Sequence, residues 1–180
     1  MVRKTAQPKG VIGDHSRNDE GNLSLNDMKV LFVCTGNTCR SPMAEALLRH
    51  LVGDEMEVKS AGILAFEGSP ASPHAIQVME ERGIELNHTA RQIDEPLMSW
   101  ADLILTMTIG HKRSLQNHFP QYTDKVFTLK EYAHSLSQDG SISPDSPLDI
   151  DDPFGGDVEQ YRKAAQDIEE ALKKWLENRK

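Results

Sequence analysis

The sequence predicts an α/β fold, a small doubly wound parallel sheet of about four strands with helices on both faces and a ligand loop after the first strand. Three observations carry that prediction. Short, fully apolar runs alternate with stretches of helical period, such runs fit strands buried on both faces, and a glycine-bearing loop joins the first strand to a Ser-Pro helix start.

The first strand is Val30-Leu31-Phe32-Val33, and Ser41-Pro42 after the loop starts a helix with proline at its first position. Met43, Ala46, Leu47, His50 and Leu51 follow at helical spacing, and Glu57 to Ala61 reads as a second strand ending at Gly62. Ser72-Pro73 opens another helix, with Ala75, Ile76 and Met79 on one face and Gly83 as its stop. Asp94-Glu95-Pro96 opens a short helix through Trp100, and Leu103-Ile104-Leu105 is a third buried strand. His111 to Phe119 is a helix closed by Pro120, and Val126-Phe127-Thr128 is a last short strand. Ser135 to Gly156 reads as one long loop, of the kind that is usually functional or disordered. Val158, Tyr161, Ala165, Ile168, Leu172 and Trp175 mark the packing stripe of a final helix. Met1 to Asp27 is polar and without usable period, so residues 1–27 are expected to be a disordered extension and 28–180 the folded domain.

Composition narrows the function classes. The chain has 180 residues, 38% hydrophobic and 27% charged, as in a soluble globular protein. It contains no apolar run of about 18 residues and no apolar leader, so no membrane partner is expected and a cytoplasmic location is. The formal net charge is −8 and no basic stripe is present, which argues against nucleic acid. Acidic residues gather between Asp145 and Glu170, a surface suited to a basic or guanidinium-bearing partner. Two cysteines five residues apart do not make a disulfide framework, and with scattered histidines they do not make a zinc site; no metal and no cofactor are expected. Nothing indicates an exposed apolar interface, so a monomer is expected.

Open parallel sheets bind ligands beyond the carboxyl ends of their strands, often at a helix N-terminus. The loop there reads Cys34-Thr35-Gly36-Asn37-Thr38-Cys39-Arg40-Ser41. Its backbone N–H groups from Thr35 to Ser41, a helix start and the planar Arg40 guanidinium suit a dianionic phosphate. Gly36 is expected to let the backbone curl around the anion. The same positive field favours thiolate over thiol at Cys34. A thiolate nucleophile also needs an acid for the leaving group and a base for water. Asp149, Asp151 and Asp152 all offer a carboxylate, and spacing leaves the choice among them open. Asp152 precedes Pro153 and Phe154, which stiffen the backbone and add an apolar wall.

The run Val33-Cys34-Thr35-Gly36-Asn37-Thr38-Cys39-Arg40-Ser41-Pro42-Met43-Ala44-Glu45 resembles the signature of low-molecular-weight protein tyrosine phosphatases. Ser60-Ala61-Gly62, His88-Thr89-Ala90-Arg91-Gln92 and Asp152-Pro153-Phe154 match that family in order and spacing, so the resemblance covers roughly Met28 to the end. It implies a metal-independent phosphatase acting on phosphorylated proteins through a cysteinyl-phosphate. It further implies Cys34 as nucleophile, Arg40 as phosphate clamp and Asp152 as general acid, then base. Asn37, Ser41, Ser60 and His88 match the family's hydrogen-bond network around the loop.

Thr38, Gly155-Gly156 after Phe154, and the run Asp124 to Tyr132 look like the bacterial protein-arginine phosphatase branch. A physical reason points the same way: a guanidinium has N–H donors that an aliphatic wall would leave unpaired, whereas Thr38 and Asp152 offer acceptors. The alternative is a tyrosine phosphatase of the low-molecular-weight type. A reversible Cys34–Cys39 disulfide would protect Cys34 from over-oxidation, against the plainer reading of Cys39 as a packed thiol. An arsenate reductase of this architecture would need two more cysteines than the chain has. A phospho-residue binding module would have no need of Cys34 with Asp152.

Overall fold

The computed structural model describes residues 28–136 and 148–179. Four strands, β1 (Lys29–Cys34), β2 (Glu57–Gly62), β3 (Leu103–Thr106) and β4 (Val126–Thr128), form one all-parallel sheet in the order β2-β1-β3-β4. Among the described residues six α-helices connect or flank them: α1 (Arg40–Val52), α2 (Pro73–Glu81), α3 (Glu95–Trp100), α4 (Ile109–His118), α5 (Leu129–Ser135) and α6 (Val158–Asn178). Successive strand residues point to opposite faces, so β1 feeds two cores. Val30 and Phe32 pack with α1, α2, α5 and α6, while Leu31 and Val33 pack with α3 and α4. That is why β1 is apolar at every interior position rather than at alternate ones.

Local chemistry explains most helix ends. The Ser72 and Asp94 side chains accept from the N–H groups of Ala75 and Leu97, and each helix has proline in its first turn. Asp157 and Gln160 form a reciprocal capping box at the start of α6.

Three expectations change. α1 begins at Arg40, so Pro42 is its third residue rather than its first; the loop needs the helix to start early so that the last loop residues present N–H groups. α4 begins at Ile109 because Thr108 caps it through His111 N, two residues ahead of the expected start. α5 is a helix not expected from sequence, since seven residues hold too little period to read. Residues 1–27, and 137–147 of the expected long loop, lie outside the described residues. No helix among the described residues is long and apolar enough to cross a membrane.

Candidate functional site

The carboxyl end of β1 is the point from which sheet neighbours lie on either side, β2 on one and β3 on the other. Cys34 closes the strand there, buried, and the chain turns through Thr35–Cys39 into the first turn of α1. A cavity of about 290 Å³ opens over this turn, lined by Cys34, Thr38, Arg40, Asp152 and Phe154 among others. Thr35, Gly36 and Cys39 also line it. Asn37 and Ser41 are fully buried behind it.

The loop is held from behind by one asparagine. Asn37 Nδ2 donates to Ser41 Oγ at 2.8 Å and to Ser60 Oγ at 3.0 Å, while its Oδ1 accepts from Arg91 N at 2.9 Å. Its carbonyl accepts from His88 Nε2 at 2.7 Å. Burial lowers the His88 pKa, against the pull of that carbonyl, so the ring is held as a neutral Nε2–H donor. Ser60 in turn donates to Glu45 Oε1 at 2.6 Å, and Glu45 pairs with Arg49. Ser41 Oγ, having accepted from Asn37, has its own proton free for Cys34 Sγ, 2.9 Å away. The sulfur is thus presented with a hydroxyl donor.

The backbone differs from expectation in one respect. Asn37, not Gly36, has the positive φ of 58°. The glycine that the turn requires is Gly62 in β2, where a Cβ would stand 2.5 Å from Thr35 O and 2.9 Å from Asn37 N. Nothing crowds a Cβ at Gly36 closer than Thr38 Oγ1 at 3.8 Å. Asparagine tolerates the left-handed region because its side chain bonds locally, as this one does.

Arg40 and the three aspartates are sorted by the segment before α6. Arg40 is buried and donates from Nη1 to Ile150 O at 2.8 Å, and its Nη2 lies 3.4 Å from Asp152 Oδ2. Asp149 spends its carboxylate on the N-terminus of α4, accepting from Ile109 N at 2.8 Å. Asp151 does not line the cavity, whereas Asp152 does, half-exposed beside the guanidinium. Asp152 Oδ1 accepts from Phe154 N at 3.0 Å, which turns the aromatic residue to the rim.

Several neighbours were not singled out from the sequence. Leu64 and Phe66, 75% and 85% exposed, line the mouth together with Phe154 at 76%. Their segment is shaped by Gln92, which accepts from Ala65 N and donates to Ile63 O. Tyr161 OH lies 3.3 Å from Cys39 Sγ, its pKa raised to about 12 by burial and that contact. His111 Nε2 lies 2.9 Å from Thr35 Oγ1. Each comes from an element distant in sequence, and only Gln92 lay inside a recognisable motif. Both cysteines are free.

Comparisons with known proteins accord with this geometry. The family model described as low molecular weight phosphotyrosine protein phosphatase matches residues 29–180. A protein-arginine-phosphatase of Geobacillus stearothermophilus is 46% identical over 149 residues, covering 83% of this chain and 94% of the relative. A protein-arginine-phosphatase of Bacillus subtilis is 44% identical over 149 residues, covering 81% and 93%. Among solved structures, a YwlE arginine phosphatase mutant with a phosphorylated active-site serine superposes with a TM-score of 0.74. It is 42% identical, over 83% of this chain and 94% of that one.

Proposed function

The chain belongs to the low molecular weight phosphotyrosine protein phosphatase family, and on that premise we propose that it removes phosphate from phosphoarginine residues of proteins. The observation that carries the reading is one cavity lined together by Cys34, Thr38, Arg40 and Asp152. In the first step Cys34 sulfur attacks phosphorus, the P–N bond breaks, and Asp152 gives its proton to the departing guanidine nitrogen. In the second, Asp152 takes a proton from water as the water oxygen attacks the cysteinyl-phosphate, releasing phosphate and thiolate. Arg40 and the loop N–H groups hold the phosphoryl oxygens through both steps. The phosphorylated serine at the active site of the solved relative supports such an intermediate.

Phosphoarginine is favoured because Thr38 and Asp152 put two acceptors where its N–H groups would lie, and because two relatives are named protein-arginine-phosphatases. Leu64, Phe66 and Phe154 favour a second activity on phosphotyrosine, whose ring suits an apolar mouth. The reading places the protein in the cytoplasm with phosphorylated proteins as partners. Two cysteines in one loop support reversible oxidation as a control on Cys34.

The test is phosphate release from phosphoarginine and phosphotyrosine proteins in neutral or mildly alkaline buffer. The native chain is expected to prefer phosphoarginine, Thr38→Ile to move activity toward phosphotyrosine, and Cys34→Ser to be inactive. A native preference for phosphotyrosine defeats the substrate assignment, and an active Cys34→Ser defeats the mechanism.

A further inference from the structure

Thr35 follows Cys34 directly, is exposed and lines the cavity, yet the chemistry above gives its side chain no task. Its Oγ1 meets Nε2 of His111, a residue of α4 that is only 8% exposed. The other ring nitrogen, Nδ1, is buried without a partner. That asymmetry selects the tautomer. A proton on Nδ1 would be a buried N–H with no acceptor, a rarer and costlier state than a bare lone pair. The proton therefore belongs on Nε2, aimed at Thr35 Oγ1. Double protonation would create the same orphan donor and set a second cation near Arg40. Burial first, and Arg40 second, bring the His111 pKa down to about 4 against the opposite pull of Asp152 and Asp149.

The direction of this bond decides what the cavity faces. A hydroxyl has one proton. If Thr35 donated to the ring, lone pairs alone would be left for the cavity, which repels an anion. If the ring donates, the Thr35 proton is free. We propose that His111 is a positioning residue whose Nε2–H bond to Thr35 Oγ1 turns the Thr35 hydroxyl proton toward a phosphoryl oxygen held in the loop. The proposal rests on the reading of that loop as a phosphoryl site.

Imidazole ¹⁵N shifts of the full chain near neutral pH report the tautomer directly. A protonated Nε2 with bare Nδ1 is expected, and a protonated Nδ1 overturns the proposal. Inhibition by inorganic phosphate and kcat/KM are then measured for Thr35→Val, His111→Phe, the double variant and His111→Gln. Each single change should weaken phosphate and lower kcat/KM roughly tenfold, the worth of one hydrogen bond to an anion. The double variant should be no worse than either single one, since His111 acts through Thr35. His111→Gln, whose amide N–H can replace Nε2–H, should recover most of the loss. Additive losses, or native phosphate affinity in Thr35→Val, overturn it. Failure of the covalent reading appears instead as turnover by Cys34→Ser, so the two failures are separable.

Discussion

At Asn37 a single side chain and its backbone make contact with four other residues: Ser41, Ser60, His88 and Arg91. It is also the one non-glycine residue with positive φ among those described. Asn37→Ala therefore adds backbone strain and leaves buried polar partners unmet, a loss of about 3 kcal/mol in unfolding measurements. Asn37→Gly relieves the strain alone and should regain about 1 kcal/mol without regaining activity. If the two variants are equally stable, backbone strain is not part of the cost. Gly62 tests the other side of the loop. A methyl group there meets backbone, not a flexible side-chain end. Gly62→Ala should lower kcat/KM more than tenfold through displacement of Thr35 and Asn37, with an overpacking cost of about 2 kcal/mol. Native kinetics in that variant would show that the loop tolerates the shift.

At the scale of elements, the site depends on how the segment before α6 is fastened. Ile150 N donates to Met107 O at 2.8 Å, and Asp149 occupies the N-terminus of α4, so the backbone arrives with Ile150 O on Arg40 and Asp152 over the cavity. Asp149→Ala should cost about 1 kcal/mol, as loss of a carboxylate at a helix start does, and should also lower kcat by loosening Asp152. A stability loss with native kcat would assign Asp149 to the helix alone. Among the three aspartates, sequence spacing could not make the distinction that this fastening makes. α5 shows the opposite case. Its Thr128 and Glu131 form a capping box that is legible as Thr-x-x-Glu, although seven residues are too few for a hydrophobic period.

For the whole molecule, two histidines, His111 buried and His88 half-buried, couple the site to acid stability. His88 and His111 both have folded pKa values below the ordinary 6.5, burial being the main cause in each. The folded chain thus binds fewer protons than the unfolded one. Stability is fully present above about 6.5 and is lost as pH falls toward 4, where His111 titrates when folded. Glu81, held down to about 2 by its bond to Arg162, extends the loss below 4.5, weakly because it is solvent-exposed. Denaturant midpoints should fall from about pH 7.5 to about pH 5, and His111→Gln should flatten that slope. An unchanged slope in the variant would mean that His111 is protonated as readily in the folded chain as in the unfolded one.

The sequence by itself determined the alternation of strands and helices, the loop after β1 and its thiol and guanidinium. These are local, carried by apolar runs, caps and a contiguous motif. Asp152 was already marked by its Asp-Pro-Phe motif, but only the tertiary structure decided how it is brought to Arg40, that Gly62 rather than Gly36 gives the turn its room, and that Leu64, Phe66 and His111 belong to the site. Those facts depend on close approaches between segments far apart in sequence, and no local period or motif records where a parallel sheet brings them together.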